Sequence, residues 1–460
     1  MGARLQTTRE LGRAVLDLGL APLRILAYAC RRGRLAKAVE EDLNHPAEVQ
    51  APRAPEGEEL NRLRERGLSI CISCAEPSGE IHARSLVKSL RQELKGLGAP
   101  EAKFFGLGGT RLRDDGVEII GDPVSRAAMG ADVLRVLPFY LGLITDMARA
   151  LEERRPDVLL LVDSPALHVP LGRIARRLGI PVLHFVTPQY WAWAPWRVGG
   201  YRSAVDLALT ILPFEPPWFA RHNVPTAHVG HPLLDVLESV KQSEPGAATP
   251  DTRSPRIALL PGSRESVVRR NLPWMLDLLK ELRADMGELR VVLPHDRDEL
   301  RPLLTEIIAE AGAESWTDVT EAGLHSALAD VDAAFSVSGT ILLDLLHHRL
   351  PTVVIYRLKS KWMAALQDRA LTVPYFSSTN LLAGRELLRE FAFIGDGPRK
   401  EVLVELRAIL TDIDRRTDDL AGLGEVAARL GPPGAARRAA GHALLMALSA
   451  APKTGPSRPE

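Results

Sequence analysis

The sequence predicts an α/β protein made of two doubly wound, Rossmann-like domains, each a parallel sheet with helices on both faces. Three observations carry this reading. Short continuous apolar runs alternate with helical stretches: SICISCA, DVLLLVD and PVLHFVT in the first half, then RIALLPG, LRVVLPH, DAAFSVSG and PTVVIY in the second. A strand that is apolar throughout is buried on both faces, as in a parallel sheet covered by helices. The alternation breaks at SVKQSEPGAATPDTRSP (239–255) and then restarts. With 460 residues, the chain has room for two or three domains, each with its own core. Two such sheets on a hinge are expected to leave an interdomain cleft at the carboxyl ends of their strands.

In chain order, residues 1–43 are a basic amphipathic N-terminal extension, 44–67 a linker and 68–238 the first Rossmann-like domain. The break at 239–255 is a second linker, and 256–395 form the second Rossmann-like domain. Residues 396–450 read as closing helices that pack across the domains or against another subunit of a homodimer, and 451–460 as a disordered tail. The extension carries Arg4, Arg9, Arg13, Arg24, Arg31, Arg32, Arg34 and Lys37 against Glu10 and Asp17, interleaved with Leu16, Leu23, Ile25 and Leu26. Its apolar stretch is broken by Asp17, Pro22 and Arg24 and is too short to cross a bilayer. Two readings stand open for it: a helix lying on an anionic membrane face, and a helix packed on the body.

Lys+Arg and Asp+Glu both number 58, so net charge gives no reason to expect a nucleic-acid partner. Three cysteines cannot build a disulfide framework, which fits a reducing cytoplasm. Cys71 and Cys74 spell C-x-x-C inside an apolar run and read as buried strand thiols.

Two strand-to-helix junctions in the second half carry the most chemical information. LLPGSRE presents Gly262, Ser263 and Arg264, and FSVSGTILLD presents Ser338, Gly339 and Thr340. Each runs from an apolar strand through a Gly/Ser loop into a helix, so backbone N–H groups and positive helix ends are available to an anion. Arg264 adds a permanent fork of donors. Together they predict a site for a nucleotide diphosphate.

In the first domain, CAEPSGEIHAR repeats this logic, with Glu76 at the loop and Ser78 either a helix N-cap or a ligand contact. Asp163 ends the otherwise apolar strand DVLLLVD, where an unpaired buried carboxylate would be costly, so it is expected to face the cleft, where it would suit a general base, in preference to capping the helix that starts at Pro165. GLGGTRL (106–112) permits a tight turn or close approach of a ligand, but lacks the third spaced glycine of a dinucleotide fingerprint. HFVTPQYWAWAPWRV clusters Tyr190, Trp191, Trp193 and Trp196, either as core or as the wall of a site for a sugar with an apolar appendage. VLRVLPFYLGLITDM (133–147) is more continuously apolar than a surface helix, so part of it is either core or exposed to acyl chains or membrane. No compact metal-ligand cluster is present in the sequence, and neither a metal nor a cofactor is expected.

Read in order, AEPSGE, GLGGTRL, AAMGADVL, PDVLLLVDSPALHVPL, TPQYWAWAPWRV, LPFEPPWF, VPTAHVGHPLLD, ALLPGSRES, SGTILLD, VVIYRLK and TNLLAGRELL resemble the lipid-A-disaccharide synthase family, inverting glycosyltransferases of the two-domain GT-B architecture. The resemblance implies transfer of a sugar from UDP-2,3-diacylglucosamine to the 6-hydroxyl of an acylated glucosamine 1-phosphate, by a peripheral enzyme at the cytoplasmic surface of the inner membrane. It implies Asp163 as base with Glu76 as a second catalytic carboxylate. It places Ser78, Gly79, Gly262, Ser263, Arg264, Ser338, Gly339, Thr340, Asp344 and Asn380 on the UDP-sugar, and Trp191, Trp193 and His168 at the acceptor or acyl chains. His231 falls in the family's GHP turn, where a purely structural histidine is an equal reading.

The sequence departs from the family pattern D-x-P-D-F-N, having Ala166, Leu167 and His168 at the last three positions. Ala194 replaces the arginine of WAWR, Asp344 the glutamate of S-G-T-x-x-x-E, and Thr379 the proline before Asn380. Asp344 still offers a carboxylate to ribose hydroxyls. The altered acceptor-side residues motivate two alternatives: a GT-B enzyme with another UDP-sugar or acceptor, including an epimerase, and a catalytically silent nucleotide-sugar-binding homologue.

Overall fold

Two parallel sheets organise the chain, and each is generated by strands whose side chains are apolar on both faces. The computed structural model describes residues 2–128, 133–238, 254–295, 297–321, 323–358 and 371–449. The expected hinge (239–253 of 239–255) and the expected tail at 451–460 lie outside these residues. The first sheet contains β1 (Ser69–Cys74), β2 (Lys103–Leu107), β3 (Glu118–Gly121), β4 (Val158–Val162), β5 (Val182–Phe185), β6 (Leu207–Thr210) and β7 (Thr226–His228). Its order is β3-β2-β1-β4-β5-β6-β7, all parallel. Every residue of β4 (VLLLV) is buried, as its composition requires. The second sheet contains β8 (Arg256–Leu260), β9 (Arg290–Pro294), β10 (Thr317–Thr320), β11 (Ala333–Val337), β12 (Thr352–Arg357) and β13 (Glu390–Phe393), in the order β10-β9-β8-β11-β12-β13.

Both orders reverse direction once, between β1 and β4 and between β8 and β11. At such a switch point, neighbouring loops leave in opposite directions and open a crevice at the carboxyl ends of the strands. Asp163 follows β4 and Glu76 follows β1, while Gly262 to Arg264 follow β8 and Ser338 to Thr340 follow β11. The fold therefore delivers the expected residues to the two switch points.

The chain divides into two units: Met1–Gly33, Ala47–Asp235 and Pro432–Glu460 in the first, Arg34–Pro46 and Val236–Gly431 in the second. The closing segment accordingly splits. Helices Arg399–Thr411 and Ile413–Arg429 belong to the second unit, whereas Ala435–Ser449 returns to the first and packs on helix Pro77–Gly96. Its buried Ala436, Ala439, Ala440 and Ala443 permit that close approach, and the Asp235 carboxylate caps it by accepting from the N–H groups of Gly434, Ala435 and Ala436. In the second unit, helix Glu265–Met286 buries Leu272, Met275, Leu276 and Leu279 in a core that includes Leu259, Phe335 and Val353.

Two differences from the sequence reading stand out. Residues 44–67, expected as a linker, contain helix Gly57–Glu65, with Leu63 buried. The extension is a single helix, Ala3–Leu43, which in the first unit buries the polar Gln6, Thr7 and Glu10 as well as Tyr28. Glu10 accepts from Arg177 (2.7 Å) and Arg173 (3.3 Å). Leu5, Val15, Leu16, Leu23 and Leu26 are left exposed. Among the described residues, no helix is long and apolar enough to cross a membrane.

Candidate active site

At the switch point of the first unit, Asp163 is half-buried and adopts a left-handed backbone (φ +58°), as does Ser164 (φ +47°). Helix Pro77–Gly96 begins beside it. A Cβ built on buried Gly79 would lie 3.6 Å from Asp163 Cβ, an ordinary contact, so the start of this helix packs directly beside Asp163. Glu76 holds the N-cap position of that helix and is exposed, as is Ser78. Ser78 and Gly79, expected with the donor residues, thus belong to the Asp163 side. Within the same motif, the buried Glu80 carboxylate accepts from Leu112 N–H (3.1 Å), and a Cβ on Gly109 would lie 2.6 Å from it. Of the glycines of GLGGTRL, Gly109 packs against Glu80, while a Cβ on Gly106 would meet the Ile72 backbone and one on Gly108 the Leu112 side chain.

His168 and Trp191 do not line a binding surface. His168 is fully buried, hydrogen-bonded to the Asp163 carbonyl through Nδ1 and to Ser73 Oγ through Nε2 (3.0 Å). Trp191 is buried against Phe214 with ring centroids 4.8 Å apart, and its Nε1 donates to Glu215 (3.1 Å). Burial pushes the Glu215 carboxyl up to about 7, against the N–H groups of Leu212 and Ile211 that hydrogen-bond it. Trp193 is the exposed member of the cluster, at 47%, with the Arg197 guanidinium 5.2 Å from its ring centroid. His231 Nδ1 accepts from Leu233 N–H (3.2 Å), and burial pushes the ring down to about 3. His82, unassigned from sequence, is held below the usual histidine value by burial, against the pull of the Asp163 and Asp235 carboxylates.

The second unit contains a cavity of about 560 Å³ that gathers Gly262, Ser263, Arg264, Ser338, Gly339, Thr340 and Asp344. Gly262 has φ +116°, and a Cβ there would meet Val267 Cγ1 at 2.6 Å, so the turn demands glycine. Arg264 occupies the N-cap position of the 22-residue helix Glu265–Met286, is exposed, and makes no side-chain hydrogen bond or ion pair among the described residues. Ser338 is committed internally, its hydroxyl donating to the Phe376 carbonyl (2.8 Å) and its N–H to Ile355 (3.0 Å). Gly339 and Thr340 are exposed on the cavity wall. Burial pushes the Asp344 carboxyl up to about 6. His325 Nε2 lies 3.8 Å from it, and His325 Nδ1 hydrogen-bonds His348 Nε2 (3.2 Å).

Asn380 was expected on the donor, but the fold uses it elsewhere. It is fully buried; its Oδ1 accepts from Leu387 N–H (2.9 Å) and Leu388 N–H (2.8 Å), and its Nδ2 donates to the Leu388 carbonyl (2.8 Å) and Glu390 (3.2 Å). It therefore shapes the loop before β13. Conversely, His295 and Arg297 line the cavity unforeseen, and both His295 ring nitrogens lack a hydrogen-bond partner among the described residues. The signal was available: LRVVLPHDR is another apolar strand running into polar residues at its carboxyl end, but without glycine.

Two Rossmann-like units in one chain, the second with an arginine and a glycine turn lining a cavity, define the GT-B class of enzymes. Among solved structures, the fold is similar to a putative UDP-N-acetylglucosamine 2-epimerase from Listeria monocytogenes (TM-score 0.53, 14% identity, 81% of this chain and 94% of that one). It is also similar to a UDP-GlcNAc 2-epimerase from Neisseria meningitidis bound to UDP-GlcNAc (TM-score 0.50, 10% identity, 83% and 99%). The sequence is more specific. Residues 70–414 match the family profile described as lipid-A-disaccharide synthetase. The lipid-A-disaccharide synthase of Myxococcus xanthus is 35% identical over 394 residues, covering 82% of this chain and 96% of that protein. That of Trichlorobacter lovleyi is 34% identical over 385 residues (82% and 97%). The chain belongs to the lipid-A-disaccharide synthase family.

Proposed function

We propose that the chain transfers 2,3-diacylglucosamine from UDP-2,3-diacylglucosamine to the 6-hydroxyl of 2,3-diacylglucosamine 1-phosphate, giving the acylated disaccharide 1-phosphate and UDP. As a family member it is a glycosyltransferase of lipid A biosynthesis, with a UDP-sugar donor and a sugar-phosphate acceptor. The observation that carries the assignment of roles is the second-unit cavity. There, an arginine without a partner among the described residues and a glycine-dependent turn stand at the start of a long helix, which suits a diphosphate.

In this reading Asp163 takes the proton from the acceptor 6-hydroxyl as that oxygen bonds to the anomeric carbon. The bond from that carbon to the diphosphate breaks, the electron pair leaves with UDP, and one displacement inverts the centre. Arg264 and the amides near it accommodate the charge that develops on the leaving diphosphate. Asp344 accepts from ribose hydroxyls. Incubation of the purified protein with UDP-2,3-diacylglucosamine and the monosaccharide 1-phosphate tests this. Disaccharide and stoichiometric UDP are expected; donor consumption with a different sugar product, or binding without turnover, would sink it.

The enzyme works at the cytoplasmic face of the inner membrane, and helix Ala3–Leu43 supplies a contact surface. Its outward face carries Leu5, Val15, Leu16, Leu23 and Leu26 beside Arg4, Arg9 and Arg31, an apolar and basic surface that packing on the body leaves exposed. Each leucine buried in the lipid interface contributes roughly 1.5 kcal/mol or more. The triple variant Leu16→Glu, Leu23→Glu, Leu26→Glu should therefore fail to float with phosphatidylglycerol vesicles while turning over detergent-dispersed substrates normally. Undiminished flotation would remove the helix from this role.

A further inference from the structure

We propose that His168 and His184 are positioning residues for Asp163, gripping its carbonyl oxygen and so fixing the turn from which the carboxylate projects. The proposal rests on the reading of Asp163 as the general base. Asp163 and Ser164 are successive non-glycine residues in the left-handed region, a conformation disfavoured for residues that carry a Cβ. Without restraint, such a residue relaxes to a right-handed or extended backbone, and its Cβ swings to a new direction. The surrounding hydrogen bonds prevent this. Asp163 N–H donates to the Phe185 carbonyl (3.0 Å), and the Asp163 carbonyl accepts from His184 Nε2 (2.9 Å) and from His168 Nδ1. Both peptide planes flanking Asp163 are thereby tied, and both lone pairs of one carbonyl oxygen are used.

The tautomers follow from the partners. A carbonyl only accepts, so His168 carries its proton on Nδ1 and His184 on Nε2. The bare nitrogens then accept from the hydroxyls of Ser73 (3.0 Å, to His168 Nε2) and Tyr201 (2.9 Å, to His184 Nδ1). Burial holds His168 down at about 3 and His184 at about 4, so both rings stay neutral and each has one proton to give. The rings stand edge to face, 5.7 Å apart. Two buried donors, each oriented by its own hydroxyl, converge on one strained residue, and that residue bears the carboxylate.

The discriminating pair is His168→Leu, which fills the volume without a donor, and His168→Asn, which restores a side-chain N–H near the Nδ1 position. The leucine variant should lose about 100-fold in kcat with the donor KM unchanged, because a small misplacement of a catalytic group costs that much. The asparagine variant should regain most of the loss even though it leaves more empty space, so that activity and Tm rank the two variants oppositely. A leucine variant with wild-type kcat, or activities that simply follow Tm, would overturn the clamp. Should the leucine variant fail to fold, Tyr201→Phe removes only the hydroxyl that orients His184; a kcat reduced by roughly 10-fold supports the clamp, and an unchanged kcat counts against it. Asp163→Ala measured in parallel separates the two ideas. Full turnover there removes the base assignment itself, whereas a dead Asp163→Ala beside a fully active His168→Leu removes the clamp alone.

Discussion

The two switch points use the same topology for opposite ends. Around Asp163 two histidines, a serine and a tyrosine are committed to holding one backbone carbonyl. Around Gly262 and Arg264 the guanidinium is withheld: Arg264 has no partner of its own among the described residues. Unsatisfied polar groups are costly where no water or ligand reaches them, so the second arrangement is stable only at a cavity. A base must be aimed before the substrate arrives, whereas an anion site must keep its donors available. On the proposed roles, the first region is built for direction and the second for occupancy.

The sharpest test of that contrast is the variant Asp163→Asn. It keeps the size of the side chain and lets the histidine grip persist, but it has no basic carboxylate. Turnover is expected to fall by about 10³-fold, within the range for loss of a general base, while UDP affinity measured by calorimetry stays at the wild-type value. A substantial loss of UDP affinity would mean that the two regions do not divide direction from occupancy in this way.

Arg264→Ala should show the complementary pattern with a smaller effect. Loss of a charge-assisted bond of about 1.5–3 kcal/mol weakens UDP binding by roughly 10- to 100-fold. The thermal stabilisation that UDP confers should vanish from Arg264→Ala and survive in Asp163→Asn. Equal stabilisation of both variants would separate Arg264 from the diphosphate.

The contrast also explains what could be read in advance. Asp163, Gly262 and Arg264 were legible because parallel strands deliver their carboxyl ends to one edge, so a polar residue ending an apolar run is placed by topology alone. Asn380, His168 and Trp191 misled because a motif does not give the direction of a side chain. Asn380 matches the N–H groups of Leu387 and Leu388 and the Leu388 carbonyl, an alignment that exists only once the loop has closed. His168 lies one helical turn beyond Asp163, where Nδ1 reaches back to a carbonyl whose position depends on the left-handed turn. Helix Ala3–Leu43 was legible as amphipathic, but which face turned inward depended on Arg173 and Arg177 far along the chain meeting Glu10.

Asp344 brings both kinds of behaviour into one residue and gives the smallest expected effect on binding. It lies on the cavity wall, yet burial raises its carboxyl from 3.8 to about 6. His325, 3.8 Å away, is itself kept below the usual histidine value by burial, so near neutral pH it brings no full positive charge to restore the carboxylate. A folded-state value above the unfolded one stabilises the protein fully below about 3.8 and loses that contribution as pH rises through about 6. The difference corresponds to at most about 3 kcal/mol. Asp344→Asn removes this pH-dependent loss, so the unliganded variant should melt higher than wild type at pH 8, with the gap closing towards pH 4. Ribose hydroxyls donate best to the charged form, so wild-type UDP affinity should rise as pH passes about 6. In Asp344→Asn that rise should flatten, with affinity about fivefold weaker at pH 8, the order of one neutral hydrogen bond. A variant that melts higher at pH 8 yet binds UDP as wild type does would leave Asp344 a strained wall residue and not a ligand.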